Sequence, residues 1–90
     1  METIQGAERV LKALANRRRL SIFLYLQHVE RAPVGLIAKE IRLSLKATSK
    51  QLGIMYAADL VDKEQIALSV VYRLKTPLRP VTKTILHMLQ

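Results

Sequence analysis

The sequence predicts a mainly helical domain that carries one small β-hairpin. Apolar residues recur at helical spacing along most of the chain, with Asn16 and Ser44 standing where helix caps belong. After Ala58 the pattern turns extended, with Leu60-Val61, Ile66-Ala67-Leu68 and Val70-Val71-Tyr72 in sequence. Half of the 90 residues are hydrophobic and only 4% are aromatic, so the core is built from Leu, Ile, Val and Ala. That length bounds one domain, small enough for oligomerisation to help its stability.

In chain order, Ile4, Ala7, Val10, Leu11 and Leu14 line one face of a first helix, with Glu8, Arg9 and Lys12 opposite. Asn16 then caps a second helix in which Leu20, Ile22, Phe23, Leu24 and Leu26 are apolar enough to sit mid-core, Tyr25 with them. Its first turn holds Arg17, Arg18 and Arg19, where the helix dipole disfavours positive charge by a few tenths to about 1 kcal/mol each. Phosphate contact would relieve this; so would an internal ion pair for one arginine with the others solvated. Glu30 to Pro33 read as a connection, because Pro33 bars continuation of the helix.

Leu36, Ile37 and Ile41 form a third helix, interrupted by Arg42-Leu43. Ser44 caps a fourth, about 45–58, which packs Thr48, Leu52 and Met55 inward and turns Lys46, Ala47, Lys50 and Gln51 outward. A hairpin follows at roughly 61–66 and 69–74, without the Asn-Gly turn usual at such tips. Pro77 and Pro80 bound a linker, and Val81, Ile85, Leu86 and Leu89 make a last amphipathic helix.

Fifteen Lys and Arg against seven Asp and Glu give a net charge of +8, which predicts attraction to polyanions, double-stranded DNA first. No run of about 20 apolar residues spans a membrane and no signal-peptide head is present, so a cytoplasmic location is expected. The absence of cysteine excludes disulfides and thiolate metal ligands, and His28 and His87 are isolated, so neither a metal nor a cofactor is expected. Enzymatic activity is not expected either: the three glycines form no phosphate loop and the carboxylates are scattered. The outer face of the fourth helix suits a major groove. Lysine donates to guanine or phosphate, glutamine pairs bidentately with adenine, and the helix N-terminus at Ser44 attracts phosphate.

Two helices joined by a tight turn and followed by a hairpin make the layout of a winged-helix domain, and several motifs sharpen the comparison. Ala13-Leu14-Ala15-Asn16 with Arg19-Leu20-Ser21-Ile22-Phe23, Leu43-Ser44 with Ser49-Lys50-Gln51-Leu52, Ala58-Asp59-Leu60-Val61 and Tyr72-Arg73-Leu74 follow in order. The chain resembles the ArsR-type winged-helix repressors from about Leu11 onward. The resemblance implies a homodimeric transcriptional regulator with its recognition helix in the major groove and its terminal helices at the dimer interface. The DNA-binding residues expected are Ser44, Lys46, Ala47, Ser49, Lys50 and Gln51, with Arg17, Arg18, Lys63 and Arg73. The dimer interface is expected from helices 3–15 and 81–89 through Ile4, Val10, Leu14, Val81, Ile85, Leu86 and Leu89. The chain departs from the family at its wing tip, where Glu64-Gln65-Ile66-Ala67-Leu68-Ser69 replaces a basic, glycine-bearing turn, and at Asp59, which stands where the family has glycine. No effector is indicated. The alternative reading is a winged-helix module that binds another protein through the apolar hairpin tip, with weak or nonspecific DNA affinity.

Overall fold

Three helix starts are set by side chains that accept otherwise unpaired backbone N–H groups. In the computed structural model, which describes residues 3–89, Thr3 Oγ1 accepts from the Gly6 N–H and begins helix α1 (Ile4–Leu14). Asn16 Oδ1 accepts from the Arg19 N–H at α2 (Arg17–Val29), and Ser44 Oγ from the Ala47 N–H at α4 (Leu45–Ala57). Between them lies the eight-residue α3 (Val34–Ile41), preceded by Pro33.

Helices α3 and α4 end in the same way. At α3, Arg42 takes a left-handed conformation (φ 57°), its N–H bonds the Lys39 carbonyl and the Leu43 N–H bonds the Ala38 carbonyl. At α4, Asp59 (φ 62°) does likewise, with bonds to Tyr56 O and from the Leu60 N–H to Met55 O. Both are Schellman endings, which glycine usually serves; Asp tolerates the position better than most residues, in keeping with its standing where the resembled family has glycine. The ending at Arg42 makes the tight turn between α3 and α4.

Strands β1 (Arg31–Pro33), β2 (Val61–Ile66) and β3 (Ser69–Leu74) form an antiparallel sheet in the order β1-β3-β2. The hairpin strands have the expected bounds. The segment expected to be a connection is instead the strand β1, pairing Ala32 with Tyr72. Three residues are too few to show a period of two. Pro33, lacking an N–H, is tolerated because it closes a short edge strand. The last helix, α5 (Pro80–Leu89), starts at a proline whose fixed φ suits a first helical turn.

The core lies where α2 meets the other elements: Ile22, Phe23 and Leu26 pack with Val10, Ile37, Leu52, Met55 and Val61, all essentially inaccessible to solvent. Thr48 is the buried polar residue of α4, and its hydroxyl donates to Ser44 O at 2.8 Å, so it enters the core without an unmet bond. One expectation is corrected. Val10, Leu14 and Leu86 are buried within the chain's own core at 0, 3 and 3% exposure, because α1 packs on both α2 and α5, and their side chains are therefore closed to a second copy.

Candidate nucleic-acid interface

Helix α4 offers a face that the rest of the domain leaves open. Thr48, Leu52 and Met55 anchor one side in the core, and the 100° step per residue then points Lys46, Lys50, Gly53 and Ala57 the opposite way. Lys46, Ser49 and Lys50 are exposed, as is Ser44 at the cap, while Ala47 is half-buried at the border of the face. The first turn of α4 contains no acidic residue, and neither lysine has an acidic partner among the described residues. Two unpaired cations therefore share the end of a helix whose dipole is already positive.

Gln51 lies differently from the expectation. It is half-buried, and its Oε1 accepts a 2.7 Å hydrogen bond from Arg19 Nη1, so the oxygen needed for a bidentate pair with adenine is turned toward α2. Arg19 also donates through Nε to the Ala13 carbonyl near the end of α1. Arg18 donates through Nη1 to the Ile41 carbonyl at the end of α3, at 3.2 Å. The arginine cluster at the start of α2 is thus relieved internally, though not by an ion pair: two of its charges lie against the negative ends of two other helices. The contact of Arg18 brings the cluster to the turn that precedes α4. The Arg17 side chain is exposed and makes no hydrogen bond or ion pair among the described residues, while the Arg17 carbonyl accepts from Ser21 Oγ at 3.0 Å.

The strand register separates the two wing cations. Lys63 pairs with Tyr72 on the inner side, and its Nζ lies 4.5 Å from the ring centre of Tyr56 on α4, a cation–π contact that ties the wing to that helix. Arg73 pairs with Asp62 and Arg31 on the outer side. The two were expected together as DNA-binding residues; alternation along the strands places them on opposite faces of the sheet. Tyr72, buried at the sheet centre, has its phenol pushed up from its ordinary pKa by loss of solvent. Asp59 at the end of α4 accepts a 3.1 Å bond from Lys75 Nζ, and that bond, reinforced by the carboxylate charge, raises the lysine's pKa.

At the wing tip Ala67 is left-handed (φ 54°), Gln65 Nε2 donates to the Ala67 carbonyl, and Leu68 is fully exposed at 100%. Gly53, the Arg19–Gln51 bond and the Tyr56–Lys63 contact were not singled out from the sequence. Gly53 could have been, as a helix-weakening residue in the middle of an otherwise regular helix. Among the described residues no three potential metal ligands cluster, and no helix is long and apolar enough to cross a membrane.

No protein-family model matches the sequence, and a search of curated proteins finds no match. Solved structures do match. Reduced HlyU from Vibrio cholerae is 33% identical with a TM-score of 0.82, over 94% of this chain and 88% of that one. The transcriptional regulator HlyU from Vibrio vulnificus is 36% identical with a TM-score of 0.78, again over 94% and 88%. A homodimeric winged helix-turn-helix DNA-binding domain from Mycobacterium bovis, described as a possible ArsR-family regulator, is 27% identical with a TM-score of 0.83, over 96% and 77%. With the turn between α3 and α4, the wing and the motif order already in place, these likenesses settle the family: the chain belongs to the ArsR-type winged-helix transcriptional regulators.

Proposed function

We propose that the chain binds specific sites in duplex DNA as a homodimer, with α4 in the major groove, and represses by occupying those sites. The observation that carries this reading is the outward face of α4, where Lys46 and Lys50 stand exposed without acidic partners. Like charges at this spacing repel each other in the free protein. Phosphate oxygens and the acceptors of guanine relieve that repulsion when the helix enters the groove. Arg17, exposed at the start of α2, adds a phosphate contact beside the turn. The function is binding rather than catalysis, in the compartment that holds the DNA, which agrees with the cytoplasmic location expected from the sequence. The chain has no cysteine, so any signal it senses does not act through a thiol.

Dimerisation draws support from apolar surface that the chain leaves uncovered. Ile4 and Leu11 share one row of α1 at 92 and 50% exposure, and on α5 Met88 is 74% and Leu89 43% exposed, beside the half-buried Val81 and Ile85. Covering these rows across a two-fold axis presents two α4 helices to successive major grooves, roughly 34 Å apart. The test is a titration on random duplex at two salt concentrations, followed by selection of a preferred sequence. A steep salt dependence and enrichment of a two-fold symmetric site are expected; equal affinity for every sequence would overturn the reading.

A second reading rests on the wing tip, where Leu68 and Ile66 expose apolar side chains at 100 and 42% and no cation is present between Glu64 and Ser69. In that reading the tip docks a protein partner and DNA affinity is weak. Site selection separates the two.

A further inference from the structure

The Arg19–Gln51 contact decides what a glutamine at this place can read. Glutamine carries an acceptor oxygen and a donor NH2 group on its amide, and only the oxygen can face a guanidinium, which has no lone pair to offer. The 2.7 Å bond from Arg19 Nη1 therefore fixes the orientation of the amide without ambiguity: Oε1 points to α2 and Nε2 points away. Gln51 is half-buried, and among the described residues no buried side-chain nitrogen lacks a partner, so Nε2 opens to solvent. Arg19 is itself held at two points besides Gln51, by its Nε on the Ala13 carbonyl and by its backbone N–H on Asn16 Oδ1. The arginine is thus in place before any DNA arrives, and its positive charge makes the bond to Oε1 stronger than a neutral one.

We propose that Arg19 is a positioning residue that turns Gln51 into a hydrogen-bond donor only, so that Gln51 selects guanine over adenine at the base it faces. In the major groove guanine offers two adjacent acceptors, N7 and O6, to the two hydrogens of Nε2. Adenine offers one acceptor and then an amino group, which would confront Nε2 donor to donor. Cytosine offers only a donor. A free glutamine amide would prefer adenine, taking the amino group on Oε1 and giving Nε2 to N7; the arginine removes that option. This inference rests on the proposed docking of α4 in the major groove and deepens it to the identity of one base.

The test is selection from random duplexes with the parent protein, Gln51→Glu and Arg19→Met, reading base identity position by position. Gln51→Glu keeps the partner of Arg19 and so keeps the fold, but presents acceptors alone. The parent is expected to prefer guanine over adenine about tenfold or more at one position of each half-site. In Gln51→Glu that position alone changes to cytosine, and in Arg19→Met adenine gains at the same position. A loss of stability alone would weaken binding to all sequences without exchanging one base for another. Adenine at that position in the parent, or a site unchanged in Gln51→Glu, overturns the inference while leaving DNA binding intact. A parent that selects no site overturns the proposed function, and this inference with it.

Discussion

Replacing Gly53 by alanine separates the stability of α4 from its fit to DNA. Gly53 lies in the middle of α4, exposed, and a Cβ built there meets no heavy atom within 4 Å. Nothing in the free protein therefore opposes the added methyl. Glycine in a helix interior is about 0.8–1.0 kcal/mol less favourable than alanine, mostly because its unfolded backbone has more freedom to lose. Gly53→Ala should accordingly stabilise the domain by close to that amount, and for a chain of this size 1 kcal/mol corresponds to roughly 4–8 °C in Tm. Thermal melting followed by circular dichroism measures it, at matched protein concentrations because a dimer's Tm depends on them. The same methyl projects beside Lys46 and Lys50, so it should weaken binding to the selected duplex while the fold gains. An unchanged or lower Tm would refute a regular helix through this position. A higher Tm with unchanged affinity would remove Gly53 from the groove face.

Other changes test other parts of the account. Ala67→Gly, at a left-handed position where an L side chain costs on the order of 1 kcal/mol, should raise the urea midpoint once the extra freedom of unfolded glycine is deducted; a lower midpoint would contradict the turn geometry. Arg17→Gln should weaken binding to all duplexes alike and reduce the slope of log affinity against log salt by about one per protomer, whereas an unaltered slope would leave Arg17 to solvent. Met88→Glu places a charge on the exposed row of α5 without entering the core, so sedimentation at micromolar concentration should find monomer for the variant and dimer for the parent. A dimeric variant would move the interface elsewhere.

The caps at Asn16 and Ser44 and the hairpin were legible in the sequence because each depends on neighbours in the chain: Ser44 reaches the Ala47 N–H three residues on, and β-branched and aromatic residues mark a hairpin whose two strands are close in sequence. The left-handed Asp59 was legible through the resemblance, because it stands where the family has glycine, whereas the left-handed Arg42 and Ala67 carry no such mark. β1 was not, since its three residues owe their conformation to pairing with β3 far along the chain. Nor was the division of the terminal helices between core and surface. Val10 and Leu14 share the apolar pattern of Ile4 and Leu11, and only the packing of α1 against α2 and α5 decides which pair is buried.

The same limit applies to the outward face of α4. Periodicity separated Lys46 and Lys50 from Thr48, Leu52 and Met55 correctly, because burial on a helix follows the angle around its axis. Gln51 stands at the border of the two faces, and its bond crosses 32 residues to Arg19, a distance in sequence that no local pattern reports. The compensation of Arg18 by the end of α3 is hidden for the same reason. Spacing identified which residues could meet DNA; tertiary contacts determine which of their atoms remain available.

Dimethyl sulfate footprinting on the selected site tests the central claim most directly, because the reagent methylates guanine N7 in the major groove and adenine N3 in the minor groove. With α4 of each protomer in a major groove, protection of guanine N7 should fall in two patches related by two-fold symmetry, centred about 10 base pairs apart or a multiple of that. Saturated binding that leaves every guanine N7 of the site reactive would contradict the account.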